Sequence, residues 1–577
     1  MKKEKKKSNP EAEAISGTPW WPYALGIAML VFFVFEIYQP ALNGPFVFDD
    51  SYLPMLLPNG PAQPFSMWIS GVRPLLMASF WANMQLTGVE PYAFKLVNLQ
   101  IHLCAGALVW LWARKLIKRS FPDFTGDALS AFVAVIFLLH PLQTESVSYV
   151  ASRSESLSGL LFLGALVTFL YHGEKAVGWL RTVCVLLLFG LAALTKEHTA
   201  VLPLLLLLTD YFFNPGFTLE GIKRNWRVYV PVAIGALVGV YGTFRLLRFD
   251  DSAGFRMKDF TWYQYLFTQC RSILNYIQLF VFPIGQNIDH NQAISFSLLD
   301  HGALLAMALL VVLTIGACIV RKRFPLAAYG FLVFLILLAP TSSVIPIKDT
   351  LVERRMYLPL IGLCFVLAQF LPMIRMPRVA LVALLTALSA ACGFATLARN
   401  QLWSSAIALW TDSAAKSPKK GRPAFQVAYA QYQGGNCAEA VMGYAHVAEL
   451  EKPDYRLYAD WALAADCAGN LGEALDKLRL AQKIENSAHV HANIGMMLAK
   501  QGKSEEALGE LDQAEKLNGR FAIVPFYKGN VFMQLNDYDK AIQAYNRALQ
   551  LDPKNGAARQ SIAMAERQKA QASAIKK

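Results

Sequence analysis

Residues 522–555 read AIVPFYKGNVFMQLNDYDKAIQAYNRALQLDPKN. Counted from 1 to 34, this stretch has Gly529 at position 8, Ala541 at 20, Tyr545 at 24, Ala548 at 27 and Pro553 at 32. Small residues at positions 8, 20 and 27 let two antiparallel helices approach, and the proline closes the second. The alanine of position 20 recurs upstream at Ala507, Ala474, Ala440 and Ala406, at spacings of 34, 33, 34 and 34. The unit before the quoted one also matches at Gly495 and Ala514. A period near 34 residues means one helix pair per unit, each burying its apolar face on the next.

This is the tetratricopeptide pattern. Further units fall at 421–454 and 455–487, and around Trp403 to Pro418 only the second helix of a unit survives. About four and a half units are predicted within residues 401–568, with 569–577 a disordered tail. Such a stack is expected to dock a segment of another protein in its concave groove.

Upstream of residue 400 the pattern changes. The 577 residues are 55% hydrophobic and 16% charged. A soluble chain carries nearer a quarter charged residues, so the excess is apolar runs that enter a membrane. Runs near 20–40, 94–115, 129–143, 155–172, 179–195, 199–213, 228–246, 302–320, 325–341, 356–371 and 378–399 predict eleven spans within a membrane domain of residues 20–400, after a basic tail of residues 1–19. The net charge of +13 is no sign of nucleic acid. It sits largely in five lysines within residues 1–7, Lys115/Lys118/Arg119, Lys223/Arg224/Arg227, Arg321-Lys322-Arg323 and Arg375/Arg378. With the N-terminus in the cytoplasm, every cluster falls on the cytoplasmic face, and an odd span count puts the repeats outside. Counting residues 262–283 as a twelfth span would break that rule. Gln269, Arg271, Asn275 and Gln278 recur there at helical spacing, which predicts an amphipathic helix at the outer interface.

The outer side then collects ionisable residues at span ends, where they are costly and mark function by default. They include loop 41–93 with Asp49, Asp50 and Arg73; His140, Glu145, Arg153 and Glu155; Lys196-Glu197-His198; loop 247–301 with Arg271, Asp289 and His290; and Lys348 to Arg355. Phe46-Val-Phe-Asp-Asp-Ser51 follows the first run directly. A sugar on a polyprenyl phosphate has its reactive carbon just outside the bilayer. Its transfer needs a carboxylate at that height to take a proton, and cations to hold the departing phosphate. Asp49 and Asp50 are at that height, and Arg73, Lys196, Arg271 and Arg354 are candidate phosphate partners. An Asp-Asp pair after a helix also serves as a mere cap.

The motifs in order extend this reading. Phe48-Asp49-Asp50, Arg73-Pro74-Leu75, Asn98 with His102, His140-Pro141 with Thr144-Glu145 and Arg153, Lys196-Glu197 with Asp210, Glu353-Arg354 with Tyr357-Leu358-Pro359, and Arg399-Asn400 with Trp403 follow one another along almost the whole chain. The chain resembles the type-C membrane glycosyltransferases, most closely the transmembrane-and-tetratricopeptide O-mannosyltransferases. The resemblance implies an all-α membrane bundle, a polyprenyl-phosphate-linked sugar donor, inverting transfer, and a Ser or Thr hydroxyl acceptor in a protein. Asp49 takes the role of base, with Asp50 assisting. Asn98, His102, His140, Glu145, Arg153, Glu197, Asp289, Glu353 and Tyr357 become substrate-binding or supporting residues. The chain departs from animal members in its fewer repeats and in Ser152, where they place Gly before the Arg. Short loops point to a bacterial inner-membrane member with periplasmic repeats.

Each residue also has a plainer reading. His102 is equally an interhelical hydrogen-bond partner. Asp210 is read as a helix-end or loop partner on the cytoplasmic side. No cofactor is expected; Asp49 and Asp50 oxygens holding a divalent ion is the disfavoured alternative. Two rival functions stand beside the first: an oligosaccharyltransferase or ligase using a diphosphate-linked glycan and a metal, and a non-enzymatic scaffold for secretion or pilus assembly.

Cys437 and Cys467 fall at position 17 of one unit and 13 of the next, near ends of neighbouring helices that share an edge. They are a disulfide, if the repeats lie outside the cytoplasm, or two buried thiols.

Overall fold

The computed structural model describes residues 21–57, 60–121, 126–172, 175–247, 253–374 and 376–575. The basic tail of residues 1–19 and Arg375 lie outside these. Among the described residues the secondary structure is helical, apart from one isolated bridge between Ala253 and Ile347. The chain divides into two compact units, Met1–Ile288 with Gln292–Ser405, and Asp289–Asn291 with Ala406–Lys577.

In the first unit every apolar run is a helix: α1 (Trp21–Leu42), α3 (Pro91–Ser120), α4 (Gly126–Leu139), α5 (Arg153–Leu170), α6 (Trp179–Ala193), α7 (Leu202–Phe213), α8 (Trp226–Leu247), α10 (Ala303–Val320), α11 (Pro325–Leu338), α12 (Pro359–Phe370) and α13 (Arg378–Leu402). Between them lie α2 (Pro74–Thr87) and α9 (Trp262–Val281). Among the described residues five helices are long and apolar enough to cross a bilayer unaided, and α4 makes a sixth if joined to Pro141–Ser148 across a 50° bend. Eleven crossings therefore require the shorter helices to span as well. The bend has a local cause. Pro141 has no N–H to continue the ladder, and His140 accepts from Leu142 N at 3.2 Å to cap the new start. Apolar side chains left exposed on α1, α10 and α13, such as Phe32, Leu305 and Phe394, are those a lipid-facing surface carries. Inside, Trp112, Phe137, Tyr329 and Phe365 belong to one continuous core.

Two findings depart from the sequence reading. The polar run between α4 and α5 is no solvent loop: Gln143, Thr144, Glu145, Ser146, Ser148 and Ser152 are all buried. And α9 turns much of its polar face inward. Tyr265, Gln269 and Tyr276 donate to the carbonyls of Thr341, Thr350 and Val352 at 2.6, 2.7 and 3.0 Å, while Trp262 and Tyr263 stay exposed.

The turn after α1 is fixed by Gly44. A Cβ there would lie 2.0 Å from the Trp403 carbonyl oxygen and 3.0 Å from Lys95 Nζ. Lys95 meanwhile donates to the carbonyls of Ala41 and Gly44, both at 2.9 Å. Gly44→Ala is expected to destabilise by about 1–3 kcal/mol, the usual range for overpacking, seen as a lower melting temperature in detergent. An unchanged melting temperature would contradict this close approach.

In the second unit a single helix, Ala406–Lys416, precedes four antiparallel pairs: Gly421–Gln433 with Cys437–Leu450, Tyr455–Cys467 with Leu471–Ile484, Ala488–Lys500 with Ser504–Leu517, and Ile523–Gln534 with Tyr538–Leu551. Position 8 must be small for a packing reason: a Cβ on Gly529 would lie 2.4 Å from the Tyr545 ring. Cys437 and Cys467 are joined as a disulfide, with Cα atoms 5.7 Å apart. A final helix, Gly556–Ile575, caps the stack. Residues 569–575, predicted as disordered, are thus helical. The helix packs on the last pair, and Lys569 ion-pairs with Asp539.

Candidate active site

The site begins at the turn Phe48–Tyr52, where Phe48 holds a φ of 54°. A bulky residue in that region is strained and must be held there by its surroundings. The holding is done by Asp50. It is fully buried, and its two oxygens accept from Val47 N at 3.0 Å and Ala151 N at 2.7 Å. It thereby ties the loop after α1 to the segment before α5. Burial pushes its carboxyl up to about 7, against the pull of those two N–H groups and of Lys95.

The sign of the pH effect follows. A carboxyl whose folded pKa lies above its unfolded value near 3.8 stabilises the fold most at low pH. That contribution is lost as pH rises from about 4 through about 7. Asn at this position does not titrate. The melting temperature of the wild type minus that of Asp50→Asn is therefore expected to fall between pH 5 and pH 8. A gap that stays constant or widens would contradict this burial.

Asp49 is only half-buried. Its N–H donates to the Tyr149 hydroxyl at 2.8 Å, and the Phe48 and Tyr149 rings stack. Burial, then Asp49 and Asp50, hold the Tyr149 hydroxyl well above its ordinary pKa. Over the Tyr149 ring, 5.7 Å from its centroid, lies the Arg354 guanidinium. Arg354 donates from its backbone N to Glu145 Oε2 at 2.9 Å and from Nη1 to Oε1 at 2.5 Å. Burial opposes its charge, but Glu145, Tyr149 and Asp49 outweigh that and hold it above its ordinary value. Its Nε and Nη2 carry no hydrogen bond from the described residues.

A second set of charges adjoins this one. Lys196 Nζ lies 2.5 Å from Glu155 Oε1 and 3.3 Å from Ser154 Oγ. Arg73, just before α2, grips Glu197 with two bonds at 2.9 and 3.0 Å. His198 Nε2 is 3.8 Å from Glu155 Oε2, and its buried Nδ1 has no hydrogen-bond partner among the described residues. Burial lowers the Lys196 pKa; Glu155 raises it, and Arg73 and Arg354 lower it further. Arg73, Lys196 and Arg354 thus share one electrostatic neighbourhood, although they come from three distant parts of the chain.

Of the four cations predicted to face a phosphate, these three come together and Arg271 does not. It donates to Ala293 O at 2.8 Å and Ser295 Oγ at 3.1 Å, because the face of α9 that bears it packs on that loop. Asp289 falls in the second unit, where Lys420 and Arg422 approach its carboxylate at 2.5 and 2.6 Å. Glu353 accepts from Gln286 Nε2 at 2.7 Å and Asn287 N at 2.5 Å, pinning that loop beside the site.

The remaining predicted residues support the site from behind. Arg153 is fully buried and donates to Asn98 Oδ1, Asn83 Oδ1, Ser79 O and Phe94 O, with Phe80 and Phe94 under its guanidinium. Asn98 in turn donates to the carbonyls of Val147 and Tyr149 at 3.3 and 3.2 Å. Arg153 and Asn98 therefore set the height of Tyr149. His102 joins Tyr357 Oη at 3.1 Å and Leu138 O at 3.2 Å, the interhelical role. His140 Nε2 meets Phe280 O at 2.9 Å. Asp210 accepts from Asn214, Asn225 and Tyr229, a helix-end network of the kind expected. Among the described residues no three His, Cys, Asp or Glu side chains converge to hold a metal ion.

Tyr149 is not among the residues that the sequence singles out, and Glu155 stands there among the ionisable residues with no role of its own. A tyrosine in a polar run between two apolar ones is the signal that was there for Tyr149.

The tetratricopeptide repeat family matches residues 526–555. Over 359 residues the chain is 25% identical to the Caenorhabditis elegans "Protein O-mannosyl-transferase F38B6.6", covering 57% of this chain and 49% of that one. Over 149 residues it is 26% identical to the human "Protein O-mannosyl-transferase TMTC3", covering 26% of this chain and 15% of that one. The chain thus spans about half the length of the nematode relative and less of the human one. The crystal structure of YrrB, a TPR protein with an unusual peptide-binding site, covers 32% of this chain and 90% of its own at 15% identity and a TM-score of 0.24.

Proposed function

We propose that this chain is a membrane glycosyltransferase that moves a sugar, mannose by likeness to its relatives, from a polyprenyl-phosphate carrier to a Ser or Thr hydroxyl of a protein. The observation that carries the reading is the meeting of Arg73, Lys196 and Arg354 beside the half-exposed Asp49. The Asp49 carboxylate takes the hydroxyl proton as the hydroxyl oxygen bonds to the anomeric carbon. The bond from that carbon to the phosphate oxygen breaks on the opposite face, and the phosphate leaves with the electron pair. The free Arg354 nitrogens and Lys196 receive the growing charge. Attack opposite the leaving group inverts the anomeric centre. With a single carrier phosphate, three cations supply the charge stabilisation for which a diphosphate carrier would call on a metal.

The reading puts this site on the outer face. Lys95, near the start of α3, is electrostatically coupled to Asp50. Arg119, near its end, donates to Phe213 O beside the basic loop of Arg224. Twenty-four residues of helix separate them, about 36 Å at 1.5 Å per residue, enough to cross a bilayer core of about 30 Å. Opposite ends of α3 thus carry the charged pocket and the cytoplasmic-type basic cluster. The disulfide in the repeats fits an oxidising compartment, such as the periplasm of a bacterial cell.

The test is glycopeptide mass spectrometry of exported proteins, with and without the gene, beside a C-terminal topology reporter. Loss of O-linked hexose on deletion, with an outside C-terminus, is expected. A reporter active only in the cytoplasm, or an unchanged glycopeptide set, would overturn the reading.

A further inference from the structure

The buried segment between α4 and α5 holds both the base and a phosphate cation. Glu145, near its start, accepts from Arg354 N at 2.9 Å and from Arg354 Nη1 at 2.5 Å. Tyr149, further along the same segment, is buried, and its side chain meets both groups. Its hydroxyl accepts the Asp49 N–H at 2.8 Å. Its ring stacks on Phe48, centroids 6.2 Å apart, and carries the Arg354 guanidinium 5.7 Å from its centroid. The same stretch ties the turn a second time, where Ala151 N donates to Asp50 Oδ1 at 2.7 Å. Tyr149 is itself held in place. Asn98 donates to its carbonyl at 3.2 Å, and Trp403 lies against its ring, centroids 6.0 Å apart. Burial, the charges of Asp49 and Asp50, and a hydrogen bond to the Asp49 side chain keep the phenol protonated against the pull of Arg354. Its hydroxyl is therefore a fixed neutral partner and takes no proton from the substrate.

In a displacement with inversion the entering and leaving oxygens lie on opposite sides of the anomeric carbon. The base and the phosphate cation must then be held at one separation, and a misplacement of about 1 Å can cost ~10²-fold. A phenol ring is a rigid spacer with a polar end and a face that attracts cations. We propose that Tyr149 is a positioning residue for the transfer, fixing Asp49 at its hydroxyl and Arg354 at its ring face and so setting the distance between base and phosphate cation. This rests on the reading of Asp49 as the base.

The test assays the purified full chain in lipid nanodiscs with polyprenyl-phosphate mannose and a Ser/Thr peptide. Tyr149→Phe keeps the ring beneath Arg354 and removes the tie to Asp49. It is expected to lower kcat about tenfold, the scale of one hydrogen bond felt in the transition state. KM for the donor should stay within about twofold, because the seat of Arg354 is kept. Introduced into Asp49→Asn, the same change is expected to cost nothing more, since no base is left to place. A 3,5-difluorotyrosine at position 149 keeps ring and hydroxyl, carries little risk to folding, and weakens the oxygen as an acceptor; it should also lower kcat. A tenfold loss repeated in the Asp49→Asn background would mark a merely structural role and overturn the assignment. Wild-type kcat in both Tyr149 variants would overturn it too, and either result would leave the transfer reading standing. No glycopeptide from the wild type would overturn that reading itself.

Discussion

Asp49→Asn is expected to reduce sugar transfer by ~10²–10⁴-fold, the range for removing a positioned base, in a protein that folds and inserts normally. The substitution keeps the shape of the side chain and removes only its ability to take a proton. The backbone bond from Asp49 N–H to Tyr149 does not depend on the carboxylate, so the turn should survive. Asp50 cannot step in. Both its oxygens are engaged by backbone N–H groups, and it is fully buried. Turnover within a few-fold of wild type would show that proton removal is done elsewhere.

The second large effect is at Arg354. Removing it alone would leave Glu145, whose side chain is only 3% exposed, as an unpaired buried charge. Such a loss costs about 3–5 kcal/mol and would confuse folding with function. The informative variant is therefore Arg354→Gln with Glu145→Gln, which removes both charges and leaves two amides able to hydrogen-bond. We expect a loss of about 10²–10³-fold in kcat/KM for the lipid-linked donor, the usual penalty for deleting one donor to a developing oxyanion. Retention of acceptor peptides should not move. A double variant that uses donor normally would shift the phosphate role to Lys196 and Arg73.

Much of this architecture is legible in the residues because its signals are local. Every apolar run became a helix, and the 34-residue spacing of Ala440 to Ala541 became four helix pairs, because periodic burial is written into nearest neighbours. What resisted was long-range. Nothing local tells that Asp50 turns inward to Ala151 while Asp49, one residue earlier, stays half-exposed; a positive φ at Phe48 decides it. Nothing local separates Arg271, held by its own loop, from Arg354, held beside Tyr149. The buried polar run around Glu145 reads as a loop because its partners, among them Arg354 and Asn400, lie more than 200 residues away. The helical end of the repeats is illegible for a simpler reason. A polar, lysine-bearing helix that caps a stack has the composition of a tail.

The central claim is that Asp49 acts as a base toward an incoming hydroxyl, with the phosphate held by Arg73, Lys196 and Arg354. The purified chain in lipid nanodiscs, given a polyprenyl-phosphate mannose of known anomeric configuration and a Ser/Thr peptide, forms a glycopeptide whose anomeric centre is read by NMR. The account expects the configuration opposite to the donor's, lost together with activity in Asp49→Asn. A product that retains the donor's configuration would contradict it, because a single displacement opposite the leaving phosphate inverts the anomeric centre.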